Sequence, residues 1–287
     1  MPFDNQRVDV SGVDDRRGRG RGASVALGGG GLGIVGVIVV ILINVLGGGD
    51  ASSLLSNGAT SQGTGESAAA LSDRCNTEGA IDRYEDCYVI KSYNEINEVW
   101  ATQVDSYVAP RLVFFEQATG TGCGNASSEV GPFYCPADKS VYIDLGFLAA
   151  LQEQFGAQGR YAETYIVAHE VGHHLQTLMG TEARVRAAQG STGDAQALSI
   201  GVELQADCYA GAWSAQANRA GNFSITEREL DQALNAAAAV GDDRIQQKTQ
   251  GRVDPERWTH GSAAQRRQAF LTGYQAATGS ACASFVP

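Results

Sequence analysis

Apolar residues recur at helical spacing through most of the C-terminal half of the chain and form two short runs before it. The spacing predicts helices over 89–108, 161–179, 199–220, 226–240 and 262–277. Two short runs rich in Val, Phe, Tyr and Ile, at 111–117 and 140–145, predict strands on either side of a Gly, Cys and Pro loop. The pattern therefore predicts a mostly helical α+β fold with a small sheet.

A different pattern precedes this part. Residues 23–49 carry no charge, and 32–46 is nearly unbroken Ile, Val and Leu. A helix over 25–46 would be roughly 33 Å long, enough to cross a bilayer. Five arginines come before it, so the sequence predicts a single transmembrane helix over 23–46, with residues 1–22 in the cytoplasm and the rest extracytoplasmic. The alternative is a cleaved secretory signal, although this stretch exceeds the usual apolar core of about 7–15 residues.

Residues 47–72 are mostly Gly, Ser, Ala and Thr, the composition of a flexible tether. The predicted organisation is thus a cytoplasmic segment, a membrane helix that contacts the lipid bilayer, a tether, and one folded domain over 73–287. The hydrophobic content of 43% is sufficient for a core in that domain. The net charge of −11 argues against nucleic acid as a partner, and the sequence indicates no particular protein partner.

Six cysteines follow the apolar stretch and none precedes it, as expected of an exported, oxidised domain. Six cysteines allow 15 pairings. Local pairing is favoured, which joins Cys75 to Cys87 and Cys123 to Cys135 and leaves Cys208 with Cys282. Zinc ligation by these cysteines is disfavoured because no C-x-x-C pair occurs.

Candidate chemistry lies in one short segment, His169-Glu170-Val171-Gly172-His173-His174, inside the predicted helix 161–179. Residues four apart share a helix face, so His169 and His173 can bind one metal ion. Glu170 points about 100° away around the helix, which suits a general base beside an activated water. His174 points elsewhere and is assigned a structural role.

Catalytic zinc commonly takes three protein ligands and leaves a fourth position for water. Glu203, on the next long predicted helix, is predicted as the third ligand. Asp207, one turn further on, is predicted to bind in the cofactor site by accepting the other ring N–H of His169 or His173. The sequence therefore predicts one Zn2+ ion and metal-assisted hydrolysis.

His260 is the only other histidine and stands at the head of the last predicted helix. It is a candidate catalytic residue that would donate a hydrogen bond to the oxyanion of a tetrahedral intermediate. A helix-entry residue without a chemical role is the alternative.

With these residues in hand, the chain resembles the bacterial putative neutral zinc metallopeptidase family, a membrane-anchored and zincin-like family. The matching segments are VDDRRG at 13–18, GPFYCPAD at 131–138, VYIDL at 141–145, HEVGHH at 169–174, ELQADCYAG at 203–211, GDDRIQ at 241–246 and HGS at 260–262. The resemblance implies peptidase activity on a protein or peptide substrate, with His169, His173 and Glu203 as metal ligands. It also implies that 141–145 is a strand to which an extended substrate adds.

The prediction is therefore a membrane-anchored extracytoplasmic zinc peptidase with Glu170 as general base. Two alternatives stay open: a zinc amidase that acts on cell-wall peptides, and an inactive zinc-binding or assembly module. The carboxylate of Glu170 weighs against the inactive module, which has no chemical need for it.

Overall fold

The computed structural model describes residues 3, 6–18, 65–155, 159–192, 194–221 and 223–287. These residues form ten α-helices and six β-strands, distributed over two compact units. The sheet unit takes in Gln6–Lys91 and Pro110–Leu151. The helical unit takes in Met1–Asn5, Ser92–Ala109 and Gln152–Pro287.

The elements are numbered in chain order. The strands are β1 (Val13–Asp15), β2 (Arg111–Phe114), β3 (Ala118–Thr121), β4 (Gly124–Ser127), β5 (Phe133–Cys135) and β6 (Ser140–Ile143). The helices are α1 (Ala68–Cys75), α2 (Ala80–Arg83), α3 (Glu85–Ala101), α4 (Leu145–Phe155), α5 (Arg160–Leu178), α6 (Thr181–Thr192), α7 (Ala195–Ala220), α8 (Glu227–Ala239), α9 (Asp242–Gln250) and α10 (Ala263–Ala276). Short 3-10 helices cover Ser128–Val130, Pro255–Arg257 and Gly279–Phe285.

A four-stranded sheet in the order β1-β2-β6-β5 organises the sheet unit. The first three strands are parallel and β5 is antiparallel to β6, while β3 and β4 form a separate hairpin. Strands β2 and β6 are internal and almost wholly buried, which explains their nearly continuous apolar sequence. Both edges of β6 are already paired, so the expectation that a substrate strand adds at 141–145 is not met.

The N-terminal segment is an integral part of this sheet. Val13 pairs with Leu112, and Asp15 with Phe114. The backbone N–H of Gly65 donates to the Arg17 carbonyl, so the chain before residue 19 and the chain after residue 64 meet at one place. An N-terminal ion cluster fixes that place, and its members are Asp15, Arg17, Glu66, Arg74 and Asp86.

The structure does not support the predicted transmembrane helix over 23–46 or the predicted single-pass membrane location, and both predictions are wrong. The stretch itself lies outside the described residues. Among the helices that the structure does describe, none combines the length and apolar character needed to cross a bilayer. The longest, α7, carries Glu203 and Asp207 along its buried face. A single crossing between residues 18 and 65 would also put β1 and β2 on opposite sides of a membrane, whereas the two strands are hydrogen-bonded neighbours.

The predicted α+β, mostly helical character is confirmed. The predicted helix 161–179 corresponds to α5, which ends before Gly180 at a φ of 67°. The predicted helix 199–220 is the later part of α7, which begins earlier because the Asp194 side chain accepts the N–H of Ala197. Helices α8 and α10 lie within a residue of prediction, each with a capping box. Helix α3 is shifted toward the N-terminus relative to the predicted 89–108.

The domain limits 1–22, 47–72 and 73–287 stay predictions. Helix α1 begins at Ala68, inside the stretch assigned to the tether, and the Ser67 side chain caps it by accepting the N–H of Ala70. The rest of the tether lies outside the described residues. The predicted disulfide pairing is confirmed for all three pairs: Cys75 with Cys87, Cys123 with Cys135 and Cys208 with Cys282.

Candidate metal centre

The centre of the helical unit is the crossing of α5 with α7. His169 and His173 occupy successive turns of α5, and Gly172 lies between them. A Cβ atom on Gly172 would stand 3.0 Å from both the Cα and the carbonyl oxygen of Ala206, so the crossing is as close as glycine allows. The close approach brings Glu203, three residues before Ala206, to the face that carries the histidines.

Three donor atoms converge at this crossing. The Nε2 of His169 lies 3.3 Å from one carboxylate oxygen of Glu203, and the Nε2 of His173 lies 3.7 Å from the other. The ligand atoms of the three residues all fall within 4.8 Å of one another. Tetrahedral zinc with bonds of about 2 Å separates its ligand atoms by roughly 3.3 Å, so the spacing fits one such ion.

Burial and hydrogen bonding support the same fit. All three side chains are buried. Within the described residues, His169 Nε2, His173 Nε2 and Glu203 Oε2 are buried atoms without a hydrogen-bond partner. Buried polar atoms in native proteins are normally satisfied. Three unsatisfied nitrogen and oxygen donors that face one point are what a cation would satisfy.

The opposite nitrogen of each ring is held by an acceptor. His169 Nδ1 donates to Asp207 Oδ1 at 2.9 Å, and His173 Nδ1 donates to Gln176 Oε1 at 2.8 Å. Because each acceptor binds the proton on Nδ1, the lone pair on Nε2 of the neutral ring is left for a metal. Gln176 is itself fixed, since its amide donates to the Val202 carbonyl at 2.7 Å and to Gln205 at 3.1 Å.

Asp207 is fully buried and binds three residues. The Arg266 guanidinium donates to both of its oxygens, at 2.8 and 2.9 Å, and the Tyr165 hydroxyl donates to Oδ1. Burial by itself would raise the pKa of the Asp207 carboxyl, but the charges of Arg266 and His169 hold it below its usual range. Asp207 is therefore ionised beside His169.

Two neighbouring carboxylates favour protonation of His169. Burial alone would lower the pKa of His169, but the Asp207 and Glu203 carboxylates raise it to about 9. Burial would likewise raise the pKa of Glu203, yet the charges of His173, His169 and His260 hold it well below its usual range. Both shifts follow from charges that face each other in a water-poor site.

Glu170 is buried beside the two histidines of its own helix. Burial raises the pKa of its carboxyl above the ordinary 4.5, against the opposing charges of His169 and His173. A carboxylate with a raised pKa is a stronger proton acceptor than an exposed one, as general base catalysis requires.

His260 is buried in the loop before α10. Its Nδ1 lies 3.2 Å from Asp242 Oδ1 and 2.8 Å from the Thr259 hydroxyl. The other oxygen of Asp242 accepts the backbone N–H groups of Thr259, His260 and Gly261 at 2.7–3.0 Å, which fixes the loop. The charge of His260 contributes to the low pKa of Glu203, so the two side chains lie within electrostatic range.

The structure thus brings His169, Glu170, His173, Glu203 and Asp207 together at one crossing, and it places His260 within electrostatic range of Glu203. His174 instead donates to the Val108 carbonyl at 2.8 Å. Sequence reasoning missed four residues that hold this site, namely Tyr165, Gln176, Asp242 and Arg266. Tyr165 stands one helical turn before His169 and Gln176 three residues after His173, so helical spacing could have indicated both.

Known proteins resemble the chain over most of its length. Residues 3–285 match the family described as "Putative neutral zinc metallopeptidase". The chain belongs to this family. Relatives include the uncharacterized protein Rv2575 of Mycobacterium tuberculosis, 46% identical over 222 residues, which are 74% of each chain. The uncharacterized protein YpfJ of Escherichia coli is 44% identical over 194 residues, 66% of this chain and 67% of its own.

No solved structure matches the chain significantly. The resemblance to the neutral zinc metallopeptidases is confirmed, and membership associates the chain with zinc and with peptidase activity.

Proposed function

We propose that the protein is a zinc-dependent peptidase in which His169, His173 and Glu203 bind the ion. The observation that carries the proposal is the set of three buried, unsatisfied donor atoms within 4.8 Å of one another. Two imidazole nitrogens and one carboxylate are a common ligand set of catalytic zinc. When bound there, zinc would polarise a scissile carbonyl and activate a water.

Glu170 is the general base. Its carboxylate takes the proton from the attacking water and returns it to the leaving amine as the peptide bond breaks. The raised pKa of the carboxyl suits both steps, because a group that accepts a proton must also be able to release it.

His260 donates a hydrogen bond to the oxyanion of the tetrahedral intermediate. Asp242 binds Nδ1 and holds the ring, which leaves Nε2 as the atom that would donate to the oxyanion. Asp207 and Gln176 act through the histidines, because they hold the Nδ1 protons and keep both Nε2 atoms available.

The test uses the purified full-length chain. Bound zinc is measured by mass spectrometry, and cleavage is measured on a peptide library and, separately, on cell-wall fragments. Glu170→Gln should retain zinc and lose cleavage, whereas His173→Ala should lose both. Arg16→Ala, a control variant in the sheet unit, should keep both. Stoichiometric zinc without cleavage of either substrate would contradict the peptidase, and cleavage of wall fragments alone would favour the amidase.

A further inference from the structure

Arg266 is a buried charge next to the candidate metal centre that the chemistry described so far does not use. It lies on α10 and is 1% exposed. Its Nε and Nη2 atoms donate to the two oxygens of Asp207, Nη2 also donates to the Tyr165 hydroxyl at 3.2 Å, and Nη1 donates to the Val240 carbonyl at 3.3 Å. A buried guanidinium is costly unless it is paired in this way.

The same guanidinium reaches the ligand shell. Its Nη2 lies 3.3 Å from His169 Nδ1, the atom that donates to Asp207. Among the described residues, Asp207 Oδ1 therefore has three neighbouring donors, His169, Tyr165 and Arg266, while Oδ2 is held by Arg266 alone. A two-point fork prevents the carboxylate from rotating about its own axis, which a single hydrogen bond would allow.

The backbone around Arg266 has no room to adjust. Gly211 on α7 and Gly273 on α10 meet so closely that a Cβ on either would lie 1.9 Å from a carbonyl oxygen of the other helix. Helix α10 therefore cannot move toward α7 to let a shorter side chain reach Asp207. Arginine is long enough to reach Asp207 from α10 and offers two donors to its two oxygens.

We infer that Arg266 is a positioning residue that fixes the Asp207 carboxylate, and through it the orientation in which His169 presents Nε2 to the metal. The inference rests on the proposed function only for the identity of the ligands. A purely structural role, in which Arg266 ties α10 to α7, would not act through Asp207.

A double-mutant cycle in the full-length chain separates these roles. The dissociation constant for zinc is measured by chelator competition for the unaltered protein, Arg266→Lys, Asp207→Asn and the double variant. Loss of an outer-shell partner typically weakens metal binding 10- to 100-fold. We expect Arg266→Lys by itself to raise the dissociation constant for zinc about tenfold. In the Asp207→Asn background, the same substitution should raise it less than about twofold. The Co2+ absorption spectrum of Arg266→Lys should change in parallel.

Arg17→Lys is the matched control, because Arg17 is also a buried arginine that donates to both oxygens of an aspartate, here Asp15 in the sheet unit. It should leave zinc affinity unchanged. Equal weakening by Arg266→Lys with and without Asp207→Asn, or none at all, would overturn the inference. If Arg266→Lys does not fold, the zinc affinity of Asp207→Asn is compared with that of the double variant Asp207→Asn/Arg266→Gln. The inference expects equal affinities, and unequal affinities would overturn it. Absence of zinc binding by the unaltered protein would instead contradict the proposed function.

Discussion

Arg16 and Arg17 are adjacent in sequence but should differ greatly in their contribution to stability. Arg17 is 9% exposed and donates to Asp15, 1% exposed, and to Asp86, 7% exposed. Removing one partner of a buried ion pair costs about 3–5 kcal/mol. In Arg17→Ala, Asp86 would still pair with Arg74, and Asp15 would still accept the backbone N–H of Glu66. The lower end of that range therefore applies, and we expect Arg17→Ala to lower the free energy of unfolding by about 3 kcal/mol.

Arg16 is the internal control. It pairs with Asp14 at 2.8 Å, with side-chain exposures of 29% and 21%. A partly exposed pair contributes less than about 1 kcal/mol. Arg16 also donates to the Thr119 hydroxyl and the Gly120 carbonyl, but neither leaves a buried charge unpaired, so Arg16→Ala should destabilise the fold less than Arg17→Ala. The free energy of unfolding is measured by urea denaturation followed by far-ultraviolet circular dichroism. Equal losses in the two variants at pH 7 would refute the assignment of Arg17 to a buried cluster that holds β1 in the sheet.

The pH dependence gives a second check on the same reasoning. The pKa values of Asp15 and Asp86 are held below the ordinary 3.8, because their arginine partners outweigh the effect of burial. Groups with a lowered pKa stabilise the folded state above their unfolded value and lose that contribution as pH falls through the folded one. The difference in free energy of unfolding between the unaltered protein and Arg17→Ala should therefore have its full size above about pH 5 and decrease below about pH 4. A difference in free energy of unfolding that stays constant down to about pH 3 would show that Asp15 and Asp86 do not have lowered pKa values through Arg17.

Three further predictions concern the candidate metal centre. Gly172→Ala should force α5 and α7 apart at Ala206, lower the free energy of unfolding by about 1–3 kcal/mol and weaken zinc binding. An unchanged affinity for zinc, measured by chelator competition, would contradict the close crossing. The neighbouring carboxylates raise the pKa of His169 to about 9, so zinc must displace a proton when it binds this ring. The dissociation constant for zinc should therefore rise about tenfold for each unit that pH falls between about 8 and 6. Calorimetry in buffers of different ionisation enthalpy should detect about one proton released per zinc ion bound. His260→Ala and Asp242→Asn should each lower kcat with zinc retained, and normal turnover in either variant would remove the oxyanion role.

The convergence of His169, His173 and Glu203 in the candidate metal centre was largely predictable because its information is local. His169, Glu170 and His173 are set by helical periodicity, and Glu203 with Asp207 repeats the same four-residue spacing on a second helix. The supporting residues were not predictable in this way. Arg266 and Gln176 are ordinary helix-surface residue types, and only the packing of α7 against α5 and α10 buries them.

The N-terminal part was predicted wrongly for a different reason. Hydropathy and flanking arginines are local signals, and both favoured a membrane helix with β1 on its cytoplasmic side. The contrary information is the pairing of Val13 with Leu112, a contact between residues 99 positions apart. A three-residue strand with two aspartates has no apolar alternation to indicate it, so the register became visible only in the structure.

The hydrogen-bond path behind His173 ends in the 3-10 helix Gly279–Phe285. His173 donates to Gln176, Gln176 to Gln205, and Gln205 to the carbonyl of Cys282, which is disulfide-bonded to Cys208. Arg266 reaches the other histidine's partner from the last α-helix. Both histidines of α5 are thus supported by segments far away in the sequence. The Cys208–Cys282 disulfide therefore anchors the far end of the hydrogen-bond path that orients His173, although neither cysteine belongs to the candidate metal centre.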